Sequence, residues 1–185
     1  AANLPENRDT DFSMADFIRR NNDELVATYG NLAHRTLTFL QRYYDGRVPA
    51  ADGHPAPDAA LAQRVATTFD TVAAGLRAAR FREPLREIMA LAQYGNRFFD
   101  EQAPWRLVKE DRAACAATLL SLLYLIDGLK VLFSPFLPHS SARLHALLGY
   151  QDPLEAQGWR PRLPPPGQLL PPPKPLFVKL DEPTD

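Results

Sequence analysis

Asn31 and Arg35 stand four residues apart in a segment whose apolar residues recur at helical spacing, so their side chains project side by side. An amide supplies a donor and an acceptor, and a guanidinium supplies a planar fork of donors. Such a pair suits the edge of a nucleotide base. It belongs to a longer polar series, Glu24, Thr28, Asn31, Arg35, Thr38 and Arg42, which the spacing predicts to lie close to one line beside the apolar stripe. A solvated helix face has the same spacing, so spacing alone leaves both uses open. A second feature is Ala103-Pro104-Trp105. Pro104 ends a helix and sets where Trp105 points, next to Arg106, Lys109 and Glu110. A tryptophan there serves either as a stacking platform for a base or as a lid on the core. Asn96-Arg97 repeats the Asn/Arg theme, with a hydrogen bond inside the fold as its expected use, and His34 is a weaker candidate.

Other chemistry is missing. The nine glycines form neither a Gly-x-Gly-x-x-Gly nor a Walker pattern. The four histidines make no His-x-x-x-His or Glu-x-x-His pair, which argues against a di-iron bundle. A lone cysteine, Cys115, excludes an internal disulfide and any multi-cysteine metal site. It falls on the most apolar helical stretch, which predicts a core thiol rather than a nucleophile.

The elements that carry these residues are helical. Ser13 is a good N-cap with Asp16 three residues on, and Ile18, Leu25, Tyr29, Leu32, Thr36, Leu40 and Tyr43 extend a long helix to Tyr44-Asp45-Gly46, with Gly46 as its C′ residue. Asp58 caps a second helix with the stripe Leu61, Val65, Phe69, Val72 and Leu76. A third starts near Pro84 and runs to about Gln102, where Pro104 breaks it. Asp111 caps a fourth, apolar on several faces and therefore central. A fifth runs from about His139 to Leu148 and stops at Gly149.

The fold class is therefore all-α, an antiparallel bundle of four to five helices with a proline-rich extended C-terminal tail. Ten of the 18 prolines lie at Pro153 or beyond, so the tail cannot be helical. We divide the chain into a bundle over 1–149, with 1–12 as its lead-in, and a tail over 150–185 that packs back through Leu176-Phe177-Val178. With 185 residues, 45% of them hydrophobic, the chain reads as one globular domain with no need of a staple. The net charge of −1 provides no basic arm for wrapping duplex DNA. Thr118, Ser121, Asp127 and Lys130 interrupt the longest apolar stretch, Ala113 to Phe133, so no membrane span is expected. The chain starts Ala1-Ala2-Asn3, with no Met, basic n-region or apolar h-region, and reads as trimmed rather than as a secreted precursor.

At these residues the chain resembles a known family. Asn21-Asn22-Asp23-Glu24-Leu25-Val26 and Gly30-Asn31-Leu32-Ala33-His34-Arg35 resemble the first helix of the anticodon-binding domain of methionyl-tRNA synthetase. Asn96-Arg97-Phe98-Phe99-Asp100-Glu101-Gln102-Ala103-Pro104-Trp105 resembles the family's most distinctive stretch in this domain. Leu132-Phe133-Ser134-Pro135-Phe136-Leu137-Pro138 resembles the entry to its last helix, and Leu176-Phe177-Val178-Lys179-Leu180 the end of its core. Leu4-Pro5-Glu6-Asn7-Arg8-Asp9-Thr10-Asp11-Phe12 resembles the exit from the catalytic part in the archaeal-like branch.

The resemblance implies a class I aminoacyl-tRNA synthetase fragment that recognises the CAU anticodon of methionine tRNA. Asn31 and Arg35 would hydrogen-bond the first anticodon base, a cytosine, and Trp105, positioned by Pro104, would stack on an unstacked base. The His-Ile-Gly-His-like and Lys-Met-Ser-Lys-Ser-like motifs of the class are absent, so this stretch alone should not charge tRNA. ATP, methionine and zinc would belong to the larger enzyme, with no cofactor here. The partners implied are the anticodon loop and the catalytic domain, with neither DNA nor membrane. The low net charge predicts weak binding and a shallow salt dependence. The alternatives are the same bundle from a leucine, isoleucine, valine or cysteine synthetase, and a helical protein-interaction module whose proline tail is the ligand.

Overall fold

Ser13 opens the first helix, its hydroxyl accepting from the Asp16 amide at 3.3 Å. In the computed structural model, which describes residues 12–51, 53–54 and 56–181, this helix is one rod of three parts. These are α1 (Met14–Arg20), a π-helical segment (Asn21–Gly30) and α2 (Asn31–Tyr43), and the joints at Asn21 and Asn31 keep right-handed helical dihedrals. The sequence pattern implies a uniform α-helix; the π-helical segment is a correction to it. Wider turns change the facing of every residue beyond them. The rod ends with Asp45 at φ 52° and Gly46 at φ 68°. Asp45 rather than Gly46 takes the C′ position, since Tyr44 is the C-cap. Gly46 is needed one residue later, where a Cβ would lie 2.7 Å from Gln41 Oε1.

α3 (Ala59–Arg77) is capped by Asp58, whose Oδ1 accepts from the Leu61 amide at 2.9 Å. α4 (Arg82–Gln102) starts two residues earlier than Pro84 suggests. Pro84 still lies in its first turn, against Gly75, where a Cβ would come within 2.4 Å of Pro84 Cγ. α5 (Pro104–Glu110) is a short helix that the sequence reading passed over: Pro104 starts it as well as ending α4. α6 (Arg112–Phe133) is capped by Asp111, and α7 (Pro138–Leu147) closes the bundle before Gly149 at φ 81°. By length and composition α6 is apolar enough to cross a membrane, which the interrupting polar residues had spoken against. It is instead the buried axis of the bundle, with every residue from Leu119 to Phe133 except Tyr124 buried. Apart from one bridge between Arg47 and Leu169, the described residues form no strand. The lead-in at Leu4–Asp11 lies outside them.

From Tyr150 the chain runs back over the helices. The Val48 amide donates to the Gln168 carbonyl at 3.0 Å, and the Leu170 amide to Gly46 at 2.7 Å. Leu176 is buried, while Phe177 packs 5.7 Å from the Tyr29 ring beside Gly30 and Val178 stays exposed. Asn22 pairs with Leu180 in both directions, each bond 2.9 Å.

Asp127 and Lys130 are fully buried and tie the tail to the centre. The Lys130 ammonium donates to Asp127 Oδ2 (2.5 Å) and Gln157 Oε1 (2.8 Å) and meets His145 Nδ1 at 3.1 Å. An ammonium can only donate, so His145 Nδ1 is an acceptor and the ring proton sits on Nε2, which donates to the Asp152 carbonyl at 2.8 Å. Burial and then the Lys130 charge hold the His145 pKa below its ordinary value. Gln157 Nε2 and the Arg162 amide complete Asp127 Oδ1, at 2.6 and 2.7 Å.

Candidate functional site

Gly95 sets the distance between α2 and α4. A Cβ there would lie 2.6 Å from Leu32 Cδ2 and 2.9 Å from Leu125 Cδ2, so any side chain at this position would force those leucines to shift. The next residue along α4, Asn96, then reaches Asn31, the residue before Leu32. Asn31 Nδ2 donates to Asn96 Oδ1 at 3.2 Å. Asn96 Nδ2 in turn donates to the Thr28 carbonyl at 3.0 Å and the Ala92 carbonyl at 3.1 Å.

One turn further on, Arg35 and Asp100 meet with Nη2 2.7 Å from Oδ1. Asp100 is exposed and the pair is open to water, so its stabilising effect is small. The guanidinium also lies 4.2 Å from the centroid of the buried Phe99 ring, within cation–π range. Trp105 is the other neighbour of Phe99, with ring centroids 6.1 Å apart and planes at 32°. Its placement follows from the α4–α5 joint. Ala103 adopts left-handed dihedrals (φ 46°), reversing the chain, and Pro104 fixes the first position of α5. Pro104 is buried, and the Cys115 thiol donates to its carbonyl at 3.6 Å. Trp105 is left 44% exposed. It covers core on one side and offers ring surface to solvent, so platform and lid are compatible here.

The structure thus brings Arg35 and Trp105 to the Phe99 ring, with Pro104 at the joint before Trp105 and Asn31 held by Asn96 one turn before Arg35. It does not keep the predicted polar series as one functional line. Glu24 pairs with Arg20 inside the rod, Thr28 bonds the Asp23 carbonyl, Arg42 lies 5.3 Å from the Tyr43 ring, and His34 and Thr38 are exposed. Glu24 and Thr28 lie in the π-helical segment and Asn31 opens the α-helix after it, so the series does not keep one facing. The Asn/Arg theme along the chain does not single out Phe99 or Asp100, and it assigns Asn96 only a hydrogen bond inside the fold. A signal was available: Asn96 and Asp100 repeat the i, i+4 spacing of Asn31 and Arg35. Cys115 is buried as expected, with its thiol pKa pushed up chiefly by burial. No cluster of metal-ligating residues occurs among the described residues. Hydrogen-bond donors and an acceptor beside an exposed indole equip this surface for binding a planar polar group.

The family model described as the anticodon binding domain of methionyl tRNA ligase matches residues 48–184, and that of tRNA synthetases class I (M) matches residues 1–37. Pro104 and Trp105 fall in the first match, Asn31 and Arg35 in the second. A methionine–tRNA ligase of Dehalococcoides mccartyi is 48% identical over 182 residues, covering 98% of this chain and 33% of that protein. One from Chloroflexus aurantiacus is 44% identical, covering 96% of the chain and 34% of the relative. The chain therefore spans about a third of the length of these relatives. Among solved structures, the free Mycobacterium tuberculosis methionyl-tRNA synthetase superposes with a TM-score of 0.86 at 29% identity, covering 98% of this chain and 37% of that one. The same enzyme in complex with methionyl-adenylate gives 0.83 at 31%, covering 94% and 35%.

Proposed function

Because the chain belongs to the methionyl-tRNA synthetase family and forms its anticodon-binding domain, we propose that it reads the CAU anticodon of methionine tRNA through Asn31, Arg35 and Trp105. Asn31 and Arg35 take the edge of the first base, a cytosine, and Trp105, held by Pro104, stacks on an unstacked anticodon base. One observation carries this reading: the Arg35 guanidinium and the half-exposed Trp105 indole share the Phe99 ring, at 4.2 and 6.1 Å, next to Asn31. Edge-reading groups and a stacking face are thereby within reach of one splayed nucleotide loop.

The domain's contribution is binding and orientation. In the larger enzyme we place methionine activation by ATP, and any zinc, in the catalytic part that joins this domain, and we place the whole in the cytoplasm. Anticodon loop and catalytic part are the partners; DNA and membrane are not. The net charge of −1 makes the isolated domain a weak binder with a shallow salt slope, since base contacts rather than phosphate neutralisation supply the specificity.

The test is a titration of the chain with a CAU anticodon stem-loop, followed by tryptophan fluorescence. A loop with the first base changed to G is the control. Trp159, 40% exposed and packed edge-on against Phe69, contributes background, so a Trp105→Phe variant runs beside it. The expected result is a saturating signal with CAU that fades with the altered loop and disappears in the variant. Trp105→Ala should weaken CAU binding by about 1–3 kcal/mol, the range for one base–aromatic stack. An equal response to both loops would overturn the reading.

A further inference from the structure

We propose that Asn96 is a positioning residue that selects the first anticodon base by fixing which end of the Asn31 amide faces the RNA. The inference rests on the reading of the site given above and adds a residue that does not touch the base.

The argument follows from donors and acceptors. One atom of the Asn96 amide lies 3.0 Å from the Thr28 carbonyl and 3.1 Å from the Ala92 carbonyl. Carbonyls only accept, so that atom is the NH2 group, and Oδ1 must point the other way. What it meets is Asn31, at 3.2 Å. Asn31 must therefore turn its own NH2 toward α4. Its Oδ1 is left facing away, with no hydrogen-bond partner among the described residues, as a pure acceptor. Arg35 on the next turn can only donate, and Asp100 takes one of its arms. The surface offered to a base is thus one acceptor followed by several donors.

That pattern is selective. Cytosine presents the N4 amino donor followed by the N3 and O2 acceptors, which complements Asn31 Oδ1 and the Arg35 fork. Uracil and guanine each place a carbonyl where cytosine has its amino group, so acceptor would face acceptor. Adenine has the amino donor but only one acceptor on that edge. Were the Asn31 amide free to turn over, it could donate to a carbonyl instead, and the clash with uracil O4 would disappear, leaving only the mismatch between the Arg35 donors and uracil N3–H. Two backbone carbonyls, acting through Asn96, prevent that rotation.

The experiment compares CAU and UAU anticodon stem-loops bound to the 185-residue chain, to Asn96→Ala and to Asn96→Asp, with melting temperatures recorded for all three. The wild-type chain should prefer the CAU loop by about tenfold or more, the scale of one good polar base contact. Asn96→Ala removes the acceptor that anchors Asn31, so the preference should fall several-fold, to what the Arg35 donors alone supply against uracil N3–H, while the Trp105 response to either loop persists. Asn96→Asp still offers an oxygen to Asn31 Nδ2 but turns a carboxylate toward two carbonyls. It should lower the melting temperature and weaken both loops, yet keep the C-over-U preference. A merely structural role would make selectivity follow stability, in the opposite order. If Asn96→Ala keeps the wild-type ratio, or Asn96→Asp loses it, the positioning role is overturned and the anticodon reading stands. If the wild-type chain binds both loops alike, the anticodon reading fails, and the role of Asn96 fails with it.

Discussion

Replacing Lys130 by Met should be among the most damaging single changes in this chain. Lys130 has no solvent exposure, and Met conserves most of its aliphatic volume, so the loss is electrostatic rather than a cavity. Three acceptors lose their donor: Asp127 Oδ2, Gln157 Oε1 and His145 Nδ1, now 2.5, 2.8 and 3.1 Å from the ammonium. Each buried neutral group left unpaired costs about 1–3 kcal/mol, and a carboxylate costs more. Asp127 keeps two donors on Oδ1, so the losses do not simply add. The total falls near the ~3–5 kcal/mol typical of removing one partner of a buried ion pair. For a chain of this size one kcal/mol moves the melting temperature by about 2–4 °C, which gives a fall of roughly 6–20 °C. The assay is thermal unfolding by circular dichroism at pH 7, with exposed Lys109→Met as the control. A fall below about 3 °C for Lys130→Met would refute the reasoning, because it would mean that the desolvation of Lys130 cancels what its three bonds contribute.

Three further outcomes are expected. Gly95→Ala puts a methyl 2.6 Å from Leu32 Cδ2 and 2.9 Å from Leu125 Cδ2; overpacking of this kind costs about 1–3 kcal/mol, and by pushing α2 from α4 it should also weaken binding of the CAU loop, both readable on one sample by melting and titration. His145 is held neutral by burial and by Lys130, with Arg162 acting in the same direction and Asp152 against it. The unfolded chain takes up that proton near the ordinary value of about 6.5 and the folded chain only lower. This contribution to stability is therefore complete above about pH 6.5 and lost as the pH falls through and below it, and a His145→Asn variant should show a flatter melting profile across that window. Cys115, buried and with its thiol pKa raised, should react with a thiol reagent far more slowly in buffer than in denaturant. Equal rates in the two would contradict its placement against Pro104.

Much of this protein is local and was therefore legible along the chain. Ser13, Asp58 and Asp111 cap helices because their side chains reach amides three residues ahead, a distance set by the backbone alone. The spacing of Leu61, Val65, Phe69 and Val72 puts them on one face whatever they pack against. Pro104 and Trp105 could be singled out for the same reason: a proline dictates the conformation of its immediate neighbours.

What needed tertiary structure are the facts that depend on two distant segments at once. The π-helical segment leaves no reliable mark in spacing, and it is fixed where Gly30 admits Phe177 and where Asn21 and Asn22 hold the backbone of Val178 and Leu180. Asn96 acquires its role only because Gly95 lets α4 close on α2, which a sequence pattern cannot express. Asp127 and Lys130 looked like interruptions of an apolar helix. They are its most constrained residues, because Gln157 and Arg162, some thirty residues on, return to complete their hydrogen bonds. Sequence by itself determined the long helical segments, though not the short α5 or the π-helical stretch, and which residue types could read a base. The packing of those helices decided which end of each polar group is left to do the reading, since a buried polar group must be satisfied by whatever the fold brings to it.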